Sequence, residues 1–309
     1  MKTMLAIFSL LLFGVLLMGS AAAAPKIVLK QYPDLKMGLL NNNFAKQYPL
    51  NKVESVKKVI DLASEQGFWW IEVCDPMADF TLAECKELAA YAKQKSIEVA
   101  YRVNVGLLDP DFWEVFSRGL ANAGVFDGPR TIRTAAPGLE FAADEKKTHW
   151  TFGEIQKAVK TANQAANLAK AFGLQYVVEN AYEVIKGDGM SKFGTAELFG
   201  MANSNLGFEF DTGNFFCTSR VWTKLADAQA FIEKYASRIA YIHLKTSGKD
   251  HKPQQVLGDN ELDFAIIFAL ATKHSKKYIA FELDQPDTLE QAIENHRKSI
   301  AYLTGKFGG

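Results

Sequence analysis

The sequence predicts an α/β protein whose strands close into a single-domain (β/α)8 TIM barrel. Three observations predict it. Short runs of apolar, β-branched or aromatic residues alternate with stretches of helical periodicity throughout residues 24–309, the pattern of a parallel sheet with helical crossovers. Eight such units follow one another with no Pro- or Gly-rich linker between them, and eight units in one domain imply closure. Four of the later runs end in a carboxylate or an imidazole, at the strand edge where parallel α/β proteins bind ligands. The competing architecture is an open doubly wound sheet. That would call for a glycine-rich phosphate loop after the first strand, and Asn41-Asn42-Asn43 is not one.

Ahead of the barrel, Lys2 precedes an apolar run from Met4 to Met18 and the small-residue stretch Gly19 to Ala24. This is the form of a cleaved signal peptide, residues 1–23, with the cut after Ala23. The alternative, a membrane anchor, calls for roughly 20 apolar residues, and the run is shorter. No cysteine lies near the cut, so a periplasmic or secreted protein without a lipid anchor is expected. The 309 residues hold 35 basic and 35 acidic side chains, a balance that argues against nucleic acid or an anionic membrane surface as partner. Cys74, Cys85 and Cys217 form no disulfide framework and read as small buried hydrophobes.

Leu35 to Leu40 is the first strand. Val53, Val56, Val59, Ile60 and Ala63 keep helical spacing until Gly67. Phe68 to Val73 is the second strand, and Thr81 with Glu84 opens the next helix as a capping box. Strand three is Ile97 to Val103; a helix over Asp111 to Ala123 leads to strand four, Arg130 to Thr134. A loop through Pro137, His149 and Trp150 precedes a long helix from Phe152 to Phe172, stopped by Gly173. Gln175 to Val178 is strand five and runs into Glu179-Asn180. A weak helix, Ala196 to Ala202, precedes strand six, Leu206 to Phe210. Leu225 to Tyr235 is helical, Ile239 to Leu244 is strand seven, and Phe264 to Ala271 is helical. Tyr278 to Phe281 is strand eight, and Leu289 to Leu303 closes the chain.

Glu179, Asp211, His243 and Glu282 stand at or near the ends of strands five to eight, each about one strand–helix unit from the next. A barrel brings such ends side by side around one mouth. Three carboxylates and an imidazole converging there repel unless a cation sits among them. An oxygen-rich set of this kind suits Mn²⁺ or Mg²⁺ first, then Co²⁺ or Zn²⁺.

The stretches Val177-Val178-Glu179-Asn180, Gly207-Phe208-Glu209-Phe210-Asp211-Thr212-Gly213, Tyr241-Ile242-His243-Leu244-Lys245, Leu257 to Phe264 and Phe281-Glu282-Leu283-Asp284 together resemble the xylose-isomerase-like barrels, the sugar phosphate isomerases/epimerases. The resemblance is best from about residue 150 onward. It implies that Glu179, Asp211, His243 and Glu282 hold one divalent metal, that Glu179 and Glu282 also move the proton, and that Glu72 faces the substrate. The chemistry is consistent with that. A metal chelated by a carbonyl and a neighbouring hydroxyl acidifies the adjacent C–H, and a carboxylate on either side can take the proton and return it. Epimerisation or aldose–ketose isomerisation results. With a leaving group beta to the carbanion, the same intermediate gives elimination.

Three positions depart from the family pattern: Asn214 and Ala181 stand where histidine is common, and Thr246 where aspartate is. Asn214 can donate a hydrogen bond to a sugar oxygen or serve as a turn residue. Lys245 shares the parity of His243 and so points into the same mouth, to bind substrate or neutralise carboxylates. Glu209 shares the parity of Asp211, one layer deeper, and is expected to pair with Lys245. Trp113, Trp150, Phe215, Phe216 and Trp222 lie in or near predicted loops as stacking or packing residues, and 249–252 reads as a solvated loop. The leading expectation is a metal-dependent isomerase or epimerase of an unphosphorylated sugar or keto-sugar. Alternatives are a lyase acting on an oxidised glycoside and a carbohydrate-binding barrel without catalysis; an endonuclease is remote.

Overall fold

The computed structural model describes residues 24–134, 149–180, 186–214, 225–248, 252–259 and 263–308. The expected signal peptide lies outside them, as do Cys217, Phe215, Phe216, Trp222 and most of the 249–252 loop. Eight strands form a closed barrel in sequence order: β1 (Lys36–Leu40), β2 (Trp70–Cys74), β3 (Glu98–Arg102), β4 (Thr131–Thr134), β5 (Gln175–Glu179), β6 (Gly207–Asp211), β7 (Ile239–Leu244) and β8 (Tyr278–Phe281). All neighbours are parallel, and β1 closes the ring against β8 with Lys36 opposite Tyr278 and Leu39 opposite Phe281.

Among the described residues eight α-helices alternate with the strands: α1 (Val53–Glu65), α2 (Leu82–Gln94), α3 (Phe112–Ala123), α4 (Phe152–Ala171), α5 (Thr195–Met201), α6 (Leu225–Tyr235), α7 (Phe264–Lys273) and α8 (Leu289–Phe307). None is long and apolar enough to cross a membrane. The capping box at Thr81 and Glu84 is present, and Thr151 with Glu154 repeats it at the start of α4. Asp263 and Thr288 cap α7 and α8. Past α1 and α4 the chain turns through Gly67 (φ 81°) and Gly173 (φ 70°), a left-handed backbone that glycine adopts without strain.

Alternate residues of each strand face in and out. Outward residues such as Phe208 and Phe210 pack beneath Phe199 of α5 and Phe231 of α6 in the main core. Inside, Leu40, Trp70, Ala100, Val177, Tyr241 and Ala280 form a separate apolar floor. The Trp70 indole lies flat on Gly38, where a Cβ would come within 2.4 Å of the ring. Its Nε1 donates to the carbonyls of Lys36 (3.0 Å) and Ile279 (3.2 Å). The floor separates two polar layers: Lys36, Glu98 and Tyr278 pair at the bottom of the barrel, and the larger charged set lies above it at the mouth.

Where the strands splay at the mouth, asparagine side chains extend the ladder. Asn41 Oδ1 accepts from the Cys74 N–H at 2.8 Å. Asn43 Nδ2 donates to the Phe281 carbonyl at 2.8 Å while its Oδ1 accepts from the Leu283 N–H at 3.2 Å. Asn180 holds Asp211 by both its N–H (2.8 Å) and its carbonyl (3.0 Å). The triple asparagine after β1 therefore joins the first strand to its neighbours on both sides. Of the aromatics expected to stack or pack in or near loops, Trp113 lies in the first turn of the expected helix, α3, edge-on against Phe112, and Trp150 is fully buried and bridges to Phe193 as a packing residue.

Candidate active site

The floor leaves the upper barrel to a dense set of charged groups. Glu72 stands two residues beyond Trp70 on β2, and His243 on β7 touches both it and Glu209 on β6; all three are fully buried. Above them come Asp211, Lys245 and Glu282, with Glu179 at the end of β5. The register sets Asp211 beside His243 and Glu179 beside Glu209. Ordinary alternation along β6 presents Glu209 and Asp211 to the interior in succession, and a register irregularity against β7 lies just before Glu209. One ligand atom each of Glu179, Asp211, His243 and Glu282 lies within 4.8 Å of the other three. The seven side chains singled out in the sequence thus fall into one constellation.

Asp211 is oriented by its own turn. Its Oδ1 accepts the N–H groups of Gly213 (2.7 Å) and Asn214 (2.8 Å), which leaves Oδ2 facing the mouth. Asn214 Nδ2 donates to Glu179 Oε1 (3.1 Å) and to the Asn180 carbonyl (2.9 Å), and its Oδ1 accepts from Lys245 Nζ at 2.8 Å. It is therefore wired between the Glu179 carboxylate and the Lys245 ammonium and is more than turn filler. Lys245 Nζ also meets Glu282 Oε1 at 2.6 Å and Asp211 Oδ2 at 3.1 Å. His243 contacts Glu282 Oε2 through Nδ1 (2.7 Å) and Glu72 Oε2 through Nε2 (3.2 Å).

Two arginines escaped the sequence reading. Arg102, ending β3, donates to Glu72 Oε1 at 3.2 Å. Arg133, on β4, donates from Nε to Glu209 Oε2 at 3.1 Å and pairs with Glu179 through Nη2. Glu209 therefore pairs with Arg133 and His243, not with Lys245 as expected. The signal for both arginines was parity: each lies two residues beyond an inward position of a short strand, so its side chain enters the barrel.

The charges hold one another. Burial alone would lower the His243 pKa, but the carboxylates of Glu209 and Glu72 and the bond to Glu282 outweigh it and raise it to about 10. Burial pushes Glu209 up to about 7 against the pull of His243 and Arg133. Burial also raises Asp211, more than Lys245 offsets. For Glu282 burial acts upward too, but Lys245 and His243 win and hold it well below the usual carboxylate range. The repulsion that seemed to demand an external cation is thus relieved in part by the chain's own Lys245, Arg102 and Arg133.

The donor set nonetheless fits a divalent ion. Asp211 Oδ2 is buried and has no hydrogen-bond donor in line with it, only the charge contact with Lys245. Opposite ligands of an ion bonded at about 2.1–2.2 Å stand about 4.3 Å apart, so the observed spread needs to tighten only slightly. In the metal-free site Nε2 faces Glu72 and Nδ1 faces Glu282; with the Nδ1 proton given up, the ring would offer Nδ1 to an ion while Nε2–H stays on Glu72. A carboxylate behind the imidazole is the usual support of a metal-bound histidine.

The sequence profile of the xylose isomerase-like TIM barrels matches residues 60–304. The chain belongs to that family. Solved structures of similar architecture include an L-ribulose 3-epimerase, 16% identical with a TM-score of 0.66, aligned over 89% of this chain and 95% of its own. A sugar phosphate isomerase/epimerase from Parabacteroides distasonis is 14% identical with a TM-score of 0.62, over 86% and 93%. A family 2 AP endonuclease from Brucella melitensis is 14% identical with a TM-score of 0.59, over 88% and 97%. At these identities the likeness is one of fold. No curated protein matches the sequence. In this xylose isomerase-like barrel, Lys245, Arg133 and Asn214 contact the four-donor set directly, and Arg102 reaches it through Glu72.

Proposed function

We propose that this protein is a divalent-metal-dependent epimerase or isomerase of an unphosphorylated sugar or keto-sugar, with Glu179, Asp211, His243 and Glu282 as ligands. The observation that carries the reading is the convergence of those four donor atoms within 4.8 Å of one another at the barrel mouth. Mn²⁺ or Mg²⁺ suits the set, with Co²⁺ or Zn²⁺ next. The bound ion would polarise the substrate carbonyl and stabilise the enediolate left by proton loss.

The chain supplies the rest. Glu179 on β5 and Glu282 on β8 flank the position of the sugar, so one removes the proton alpha to the carbonyl and the other returns it. Glu282 is held ionised by Lys245 and His243, as a base must be. Arg133 steadies Glu179, Glu72 orients His243, and Asn214 and Lys245 stand at the entrance where substrate oxygens arrive. Arg102, Arg133 and Lys245 are each engaged by carboxylates, an arrangement that favours a neutral sugar over a phosphate ester. Structural neighbours include ketose 3-epimerases, which points first to the carbon beside a ketose carbonyl. The signal-like leader fits a periplasmic or secreted enzyme; a mature mass beginning at Ala24 is the result that supports it.

A panel of ketoses and 3-keto-glycosides in deuterated water with Mn²⁺ tests the reading. Deuterium enters alpha to the carbonyl with wild type and is lost with Glu179→Gln or Glu282→Gln, and Asp211→Ala no longer binds Mn²⁺. Binding of sugars without exchange would leave a carbohydrate-binding barrel. An unsaturated product would make the protein a lyase; Asn214, in place of the histidine common among the epimerases, is the feature that favours that second outcome.

A further inference from the structure

We propose that the Lys245 ammonium is a built-in cation that holds the four-ligand constellation together in the metal-free protein and has to leave for a divalent ion to enter. This rests on the metal reading above and goes beyond it, because it makes one residue of this chain the direct competitor of the metal.

The geometry is specific. Lys245 Nζ lies 2.6 Å from Glu282 Oε1 and 3.1 Å from Asp211 Oδ2, two of the four donors. An ion bonded to those two oxygens at about 2.1–2.2 Å would lie within about 5 Å of Nζ, where two positive charges in a buried site repel. The ammonium is also placed by the backbone. Register sets Lys245 one step beyond Leu244, which pairs with Phe281, so its side chain stands beside Glu282. Its aliphatic stem lies on Gly213: a Cβ there would meet Lys245 Cγ at 2.6 Å and Cβ at 2.9 Å. Thr212 Oγ1 accepts from the Lys245 N–H and donates to its carbonyl, both at 2.9 Å, which fixes the backbone from which the stem departs. Asn214 Oδ1 completes the cradle at 2.8 Å. Glycine, threonine and asparagine of the turn after β6 thus each serve the position of this one ammonium, and the same turn orients Asp211. A lysine that only neutralised surface carboxylates would need none of this.

Two consequences follow. Without metal the donors are prearranged and their mutual repulsion is offset, so the apo barrel is stable. With metal, the ammonium is released toward the mouth, where it is free to meet a substrate oxygen, so that metal entry and assembly of the substrate site become one event.

The test is Mn²⁺ titration of wild type, Lys245→Met and Gly213→Ala by calorimetry, with far-UV circular dichroism and melting curves of each metal-free protein. Methionine keeps an unbranched stem on Gly213 and removes the charge. It is expected to tighten Mn²⁺ binding at least tenfold and to lower the metal-free melting temperature. Gly213→Ala leaves the charge but displaces the stem, and is expected to tighten binding in the same direction; it decides the matter should the methionine variant not fold. Wild type that binds Mn²⁺ alongside folded variants that bind it no tighter overturns this inference and leaves the metal reading standing. No Mn²⁺ binding by any of the three overturns both.

Discussion

Not every buried histidine of this barrel belongs to the site, and His296 on α8 shows the difference. Its Nδ1 donates to the Ala292 carbonyl at 2.7 Å, and its Nε2 accepts from Asn43 Nδ2 at 3.1 Å. The ring stacks on Phe44 at 5.1 Å. No carboxylate bonds to it, and burial lowers its pKa to about 4 from 6.5. The native state therefore refuses a proton that the unfolded chain accepts below pH 6.5. The stability this neutral ring contributes is full above pH 6.5, falls as the pH drops toward 4, and levels off below that. The whole effect is about 3 kcal/mol. Urea unfolding of wild type and His296→Gln between pH 7 and pH 4 is expected to show wild type losing about that much more stability than the variant. His243, equally buried, is driven the opposite way because carboxylates surround it. Sequence placed only His243 at a strand end and so at the mouth, but it could not give either ring its charge, because the partners that decide it come from distant elements.

At the level of elements, local signals proved sufficient for the starts of helices and the mouths of strands needed more. The Thr-x-x-Glu spacing announced the cap at Thr81, the same spacing recurs at Thr151, and each side chain accepts the N–H three residues on. Thr151→Ala is expected to cost about 1 kcal/mol in chemical denaturation, with no change at the site. The asparagine clamps are of another kind. Asn180 satisfies both backbone groups of Asp211 from the neighbouring strand. Asn180→Ala leaves two buried groups without partners, at a cost of about 2 kcal/mol or more. Because the same bonds fix Asp211, one of the four proposed ligands, Mn²⁺ affinity is expected to fall roughly 10- to 100-fold, read by calorimetry. Thr151→Ala serves as the control that loses stability alone. Nothing in Glu179-Asn180 announces a clamp, since its partner lies on another strand.

For the molecule as a whole, closure of the ring makes site and fold one object. The four candidate donors come from four consecutive strands, β8 among them, and β8 also closes against β1. An ion bound there ties half the barrel together, and binding to the native state alone stabilises it by mass action. Mn²⁺ at a hundred times its Kd is expected to add about 2.7 kcal/mol, which for a domain of this size raises Tm by roughly 5 to 10 °C. Scanning calorimetry with and without Mn²⁺ measures it, and Asp211→Ala is expected to abolish the shift.

The sequence by itself determined the architecture: period-two and period-3.6 stretches are local properties, and eight repeats without a linker leave few ways to bury them other than a barrel. It also determined the direction of the chemistry-bearing side chains, because parity along a strand fixes which face they take. Those two facts were enough to gather Glu179, Asp211, His243 and Glu282 at one mouth. The tertiary structure alone decided which charge meets which. Arg133 reaches Glu209 and Glu179, Glu72 stands behind His243, and Lys245 lies among the donors on the bare backbone of Gly213. Pairing inside a barrel depends on register between strands and on the volume each neighbour leaves free, and neither is written in any single stretch of the chain.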